Sequence, residues 1–231
     1  MKTIGIVGGM TWHSSLHYYS VINEIIEEKV GKKHSAKIIL YSFDFNEIFE
    51  KQFAGEWDYI GNRMEEAAVK LKEAGADFIL YASATIHRAI DGIKVDIPIL
   101  DIRDTVGEEI KKNNVTKVGL LGTSFSMLDN FFKGRLEKKY GIKTIVPSPE
   151  KIEIMNRIIF DELACGKVTR ESKVQFDKIV RGLELNGAEG IILGCTELHM
   201  LITEESPNRF YDTMKIHAYH AAMKSLENND G

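Results

Sequence analysis

Gly75-Ala76-Asp77-Phe78-Ile79-Leu80-Tyr81-Ala82-Ser83-Ala84-Thr85-Ile86-His87 lies without a gap against Gly187-Ala188-Glu189-Gly190-Ile191-Ile192-Leu193-Gly194-Cys195-Thr196-Glu197-Leu198-His199, with Ser83 standing 112 residues before Cys195. Two further pairs keep nearly the same offset. Ile4-Gly5-Ile6-Val7-Gly8 matches Val118-Gly119-Leu120-Leu121-Gly122 at 114, and Ile99-Leu100-Asp101 matches Phe210-Tyr211-Asp212 at 111. Three pairs in one order at nearly one spacing mark an internal duplication, and a duplication fixes architecture before any single residue is read.

Outward from these segments, apolar runs at 3–7, 36–42, 78–82, 97–101, 117–121, 144–146, 190–194 and 209–212 alternate with helical patterns such as 57–74 and 173–186. That alternation predicts βαβ units. The expected fold is α/β: two pseudo-symmetric Rossmann-like α/β domains, each with a mostly parallel sheet, and an active site in the cleft between them. The first domain is expected to take 1–101 plus 208–231, and the second 102–207. Ligands of open parallel sheets sit beyond the carboxyl ends of the strands. Ser83 and Cys195, both at strand exits, are therefore expected to approach one cleft from opposite sides. Their side chains should lie roughly 7–10 Å apart, leaving near-attack contacts on each side of one carbon. Duplication alone can also leave matches at buried strands, but these two residues follow their strands instead of lying within them.

The 231 residues, 44% hydrophobic and 28% charged, match an ordinary globular protein with enough chain for a sizeable core. Order is expected nearly throughout, the tail 228–231 excepted. A net charge of −4 without a dense Lys/Arg cluster argues against nucleic acid or an anionic membrane as partner. The first apolar stretch is broken by glycines and reads as a strand, not a signal peptide. No apolar run approaches a transmembrane length. Cys165 and Cys195 have neither disulfide-framework nor zinc-ligand spacing, so a reduced, cytoplasmic setting is expected.

Cys195 reads as the end of a strand and the start of a helix, where backbone N–H groups and the helix dipole favour a thiolate. From an ordinary pKa of about 8.5, a modest fall would give a reactive thiolate at neutral pH. Cysteine is also often a small buried hydrophobe; the strand-exit position and the mirrored partner favour the acid/base role. Ser83 is a weaker base, suited either to binding substrate or to passing a proton. Ala84, Thr85, Thr196 and Glu197 follow the two residues, and their backbone N–H groups suit a carboxylate. The Thr85 and Thr196 hydroxyls can donate to substrate or serve as simple caps. The glycine turns Gly8-Gly9-Met10-Thr11 and Gly122-Thr123-Ser124 match no dinucleotide or P-loop pattern. His87 and His199 are mirrored and expected to brace the cleft or order a neighbour instead of doing the chemistry, while Cys165 reads as a bystander.

These residues together resemble the aspartate/glutamate racemase family of the cofactor-independent Asp/Glu/hydantoin racemase superfamily. The resemblance rests on Ile4-Gly5-Ile6-Val7-Gly8-Gly9-Met10-Thr11-Trp12 with Ser14, Tyr18-Tyr19, Ile22-Asn23-Glu24, and Gln52 before Gly55-Glu56-Trp57. It continues through Leu120-Leu121-Gly122-Thr123 and Gly194-Cys195-Thr196-Glu197-Leu198 to Asp212-Thr213 and Ile216-His217-Ala218, nearly the whole chain. It implies two domains about a pseudo-twofold axis, the first completed by the C-terminal helix. It also implies a homodimer and an isomerase that works without pyridoxal phosphate, metal or nucleotide. In the family two cysteines flank the substrate Cα, one taking the proton as thiolate and the other returning one as thiol. Cys195 matches the second-half cysteine. Ser83 stands where the first-half cysteine would be, a place where some relatives carry threonine. Substrate contacts implied by position are Met10, Gln52, Ala84, Thr85, Thr196 and Glu197. The departure at Ser83 leaves two other readings: a single-cysteine decarboxylase of disubstituted malonates, and an acidic-amino-acid binding protein without turnover.

Overall fold

The structure, a computed structural model, describes residues 1–202 and 210–227. The chain divides into two compact units, Met1–Thr105 with Met214–Gly231, and Val106–Thr213. The expectations for the tail 228–231, the boundary at 208 and the start of the last apolar run at Arg209 lie outside the described residues.

In the first unit β1 (Ile4–Gly8), β2 (Ile38–Ser42), β3 (Phe78–Tyr81) and β4 (Ile99–Leu100) form a parallel sheet in the order β2-β1-β3-β4. The central strands β1 and β3 are buried throughout, as parallel strands covered on both faces must be. On one face Ile4, Ile6, Phe78 and Leu80 pack with Tyr18, Ile22 and Ile26 of α1 (Trp12–Val30). Met214, Ala218, Ala221 and Ala222 of α9 (Thr213–Leu226) join them, so the C-terminal helix completes this half. On the other face Val7, Ile79 and Tyr81 meet Ile48 of α2 (Phe45–Phe53) and Ile60, Met64, Ala67 and Leu71 of α3 (Trp57–Glu73).

In the second unit β5 (Lys117–Leu121), β6 (Lys143–Ile145), β7 (Ile191–Leu193) and β8 (Phe210–Asp212) repeat the order as β6-β5-β7-β8, again all parallel. Between them run α5 (Ser124–Leu128), α6 (Lys133–Tyr140), α7 (Pro149–Arg157) and α8 (Arg170–Leu185). The duplication has a packing origin that a pair of glycines shows. A Cβ at Gly5 would sit 2.8 Å from Ile79 Cγ2 and 3.3 Å from Leu71. A Cβ at Gly119 would meet Ile191 and Leu183 at 2.8 Å each. The same strand position is bare in both halves so that α3 and α8 can close onto their sheets.

The expected boundaries change at both ends. The first unit ends within α4 (Ile102–Lys112), and β8 hydrogen-bonds to β7, so Phe210–Asp212 close the second sheet and not the first. The reason is the duplication itself: β8 is the counterpart of β4, the last strand of its own half.

Two fully buried histidines, His87 and His217, link the end of the first sheet to its helices. The Leu100 carbonyl can only accept, so His217 Nε2 donates to it at 2.9 Å, and Nδ1 accepts the Tyr18 hydroxyl at 2.9 Å. Burial, and secondarily the His87 ring, push His217 down to about 3. Burial also lowers His87. In the unfolded chain both return to about 6.5. Below that pH the unfolded state binds protons that the folded state refuses, so stability is fully present above about 6.5 and falls as the pH drops towards the folded value. Each histidine contributes a slope of about 1.4 kcal/mol per pH unit. Urea unfolding at pH 7, 6 and 5 should show stability falling by up to about twice that slope, and His217→Gln should remove about one proton from it. A flat response between pH 6.5 and 5 would contradict the neutral assignment.

Candidate active site

Each expected site residue falls at the carboxyl edge of a sheet or on the element that follows it. In the first unit Met10 comes directly after β1 and is buried. Gly9, with φ +89°, turns the chain there, and a Cβ would collide with the Phe43 backbone. The Gly9 N–H donates to Ser15 Oγ at 2.8 Å, and Thr11 caps α1 by accepting from Ser14 N. The Ser83 turn is next door in the sheet, since Val7 and Tyr81 are register partners and Ala82 N donates to Val7 O at 2.9 Å. Gln52, on the helix after β2, is 6% exposed. Ser83 is half-buried, whereas Ala84 and Thr85 are buried. The Ser83 hydroxyl makes no hydrogen bond among the described residues.

In the second unit Gly194 N donates to Leu121 O at 2.6 Å, holding the exit of β7 against that of β5. Cys195 follows, half-buried, and its Sγ donates to Glu197 Oε2 at 3.1 Å. The Thr196 hydroxyl donates to the same oxygen at 2.6 Å. Cys165 is exposed on a different segment.

Two expectations are corrected here. No α-helix begins at Cys195 or Ser83. Short 3₁₀ turns follow instead, at Leu198–Leu201 and Thr85–Arg88. Leu198 and Leu201 are both fully buried, and the 3₁₀ geometry stacks residues i and i+3 on one face, which a three-residue spacing rewards. Second, the thiol is not lowered towards a thiolate. Burial, followed by the charge of Glu197, raises it well above the ordinary cysteine value, so Cys195 rests as a thiol hydrogen-bonded to a carboxylate. His87 Nδ1 lies 2.9 Å from the Ser83 carbonyl oxygen. His199 Nδ1 holds the Thr196 carbonyl at 2.7 Å. Both histidines grip the backbone of their turns.

Sequence reasoning missed one cluster. Arg103, 1% exposed, lies between two carboxylates. Its Nη2 is 2.6 Å from both Asp101 Oδ2 and Asp91 Oδ1, and its Nε and Nη1 add bonds of 3.0 Å to Asp101 Oδ1 and 3.1 Å to Asp91 Oδ2. Burial opposes both charges, but the Arg103 guanidinium holds Asp101 well below the usual carboxylate range. An acid at a strand end with an arginine two residues on was the available signal. Asp91, twelve residues away, gave none. Among the described residues no group of three or more His, Cys, Asp or Glu side chains is placed to hold a metal ion, and no helix is long and apolar enough to cross a membrane.

Comparison with known proteins bears on the family and the fold. Residues 7–221 match a sequence model described as Asp/Glu/hydantoin racemase. A protein from Yersinia pestis, described as a candidate Asp/Glu racemase, is 40% identical. The alignment covers 98% of this chain and all of that one, with a TM-score of 0.92. An aspartate racemase homologue from Pyrococcus horikoshii is 38% identical over 98% of this chain and all of its own, with a TM-score of 0.86. The aspartate racemase of Picrophilus torridus, 19% identical over 97% of this chain and 94% of its own, has a TM-score of 0.77 and shows the shared fold alone. The two four-stranded parallel sheets are those of the two-domain racemase fold, and the chain belongs to the Asp/Glu/hydantoin racemase family.

Proposed function

We propose that this protein racemises an acidic amino acid, aspartate or glutamate, without pyridoxal phosphate or metal, with Cys195 as the acid/base on one face of Cα and Ser83 serving the other. The observation that carries the reading is the Cys195–Glu197 hydrogen bond at the exit of β7, a thiol with its own proton acceptor. Glu197 takes the thiol proton, and the resulting thiolate removes the α-proton. The Ser83 hydroxyl gives a proton to the opposite face of the carbanion. Cys195 then carries the substrate's proton, Glu197 the original thiol proton, and Ser83 lacks one; transfer from Glu197 to Ser83 through solvent resets the site. The Thr196 hydroxyl holds the Glu197 carboxylate in place. Met10, Gln52, Ala84 and Thr85 are the residues we assign to substrate in the first unit, and Thr196 and Glu197 in the second. A free thiol fits a reducing cytoplasm. A homodimer belongs to the same reading, and the exposed row Trp12, Leu16 and Tyr19 along α1 is a face that a second copy can cover.

A protonated thiol also favours the decarboxylase reading, which needs only a proton donor on one face. Incubation in heavy water with each enantiomer of aspartate and glutamate, and with a disubstituted malonate, separates the three cases. A racemase exchanges α-hydrogen and inverts, a decarboxylase releases CO₂ from the malonate, and a binding protein does neither. Because hydroxyls are weak acid/bases without an activating neighbour, exchange should be faster for the enantiomer whose α-hydrogen meets Cys195. Ser83→Cys should raise kcat for the other enantiomer by about tenfold or more. Equal exchange of both enantiomers in the wild type, or no effect of Ser83→Cys, would move the second acid away from Ser83.

A further inference from the structure

We propose that His87, whose Nε2 accepts from the Ile102 N–H between the paired Asp101 and Arg103, is a positioning residue for Ser83, its Nδ1–H on the Ser83 carbonyl fixing the direction in which the serine hydroxyl is presented. The inference rests on the racemase reading above and extends it to a residue outside the acid/base pair. The tautomer follows from the hydrogen-bond partners. The Ile102 backbone N–H can only donate, and it reaches His87 Nε2 at 3.3 Å, so Nε2 carries no proton. The proton is therefore on Nδ1, facing the Ser83 carbonyl at 2.9 Å. One buried, neutral ring thus ties the turn after β3 to the start of α4.

The His217 and Tyr81 rings stand edge-on to the His87 ring with centroids 6.1 Å away, and Asp101 Oδ1, 4.0 Å from the unprotonated Nε2, faces it without bonding to it. Asp101 is immobilised by Arg103 through the backbone N–H at 2.8 Å and through the guanidinium, which reaches on to Asp91. Arginine's planar fork suits this double carboxylate bridge in a way that a lysine ammonium does not. The segment between Ser83 and Arg103 is cross-linked at both ends. Since the Ser83 hydroxyl has no hydrogen bond of its own among the described residues, the backbone of its turn decides where it points.

The test compares the wild-type protein with His87→Asn and Arg103→Lys, the second serving should the first fail to fold. Two rates are measured in heavy water: α-hydrogen exchange of the enantiomer that faces Cys195, and racemisation by chiral analysis. Loss of positioning should lower racemisation about tenfold or more, with KM nearly constant and exchange changed much less, so the ratio of exchange to racemisation rises. A merely structural role would lower both in proportion to folded protein, and that result, or no change in either, overturns the proposal. Nitrogen-15 spectra of the wild-type imidazoles decide the tautomer without substrate. Nδ1 protonated and Nε2 bare throughout the neutral range supports it, and an Nε2–H tautomer or titration near pH 6.5 overturns it. If the wild type exchanges no amino-acid hydrogen while the spectra show the Nδ1–H form, it is the racemase reading that has failed.

Discussion

Replacing Cys195 with alanine is expected to lower both racemisation and α-hydrogen exchange by at least about a thousandfold, within the range for loss of a general acid/base. Ser83 has no hydrogen-bonded base beside it among the described residues, and the nearest imidazole has both nitrogens occupied by backbone groups. Glu197 is the partner of the thiol, so with the thiol gone it has nothing to deprotonate. The fold should survive, because the half-buried side chain is small and Glu197 keeps the Thr196 hydroxyl as a donor. Stability changes at such positions usually stay near 1 kcal/mol. Cys195→Ser sharpens the test: it restores a donor to Glu197 but not an ionisable thiol, and should be as inactive as alanine. Steady-state kinetics with circular dichroism on the same samples checks both statements, and more than a few per cent residual activity in a folded Cys195→Ala protein would move the base elsewhere.

Much of the architecture was legible because the duplication repeats the packing constraints themselves. Gly5 and Gly119, Leu71 and Leu183, Ile79 and Ile191 recur because each sheet needs the same bare strand position under the same helix contact. All eight apolar runs therefore became strands. What the sequence could not convey was the state of the reactive groups. A cysteine after a strand and ahead of apolar residues reads as a helix start, yet Leu198 and Leu201 are satisfied by a single 3₁₀ turn, which carries little dipole. Burial of the thiol, followed by the charge of the neighbouring Glu197, reverses the expected direction of the Cys195 shift. The assignment of the last strand failed for a different reason. Its position next to the C-terminal helix suggested the first half, although its own counterpart, β4, marked it as the closing strand of the second.

Glu197→Gln should separate two roles that one carboxylate could play. As the proton acceptor for Cys195, Glu197 contributes to every turnover that begins with α-proton removal by the thiol. Glutamine keeps the size and one carbonyl acceptor but cannot take a proton. Turnover should fall by about 10²–10³-fold, with KM within about threefold of wild type, the pattern of an interaction used in the chemical step and not in binding. The same substitution removes the negative charge that helps to raise the Cys195 thiol. The thiolate fraction at neutral pH should then increase, and alkylation of Cys195 by iodoacetamide should become faster than in the wild type, with Cys165→Ser in both backgrounds removing the exposed competitor. The two readouts move in opposite directions: a more reactive thiol in a slower enzyme. A carboxylate that only binds substrate would raise KM and leave kcat largely intact. If Glu197→Gln turns over at the wild-type rate once saturated, the thiol proton leaves by another route and the hydrogen bond at 3.1 Å is a resting contact without a catalytic part.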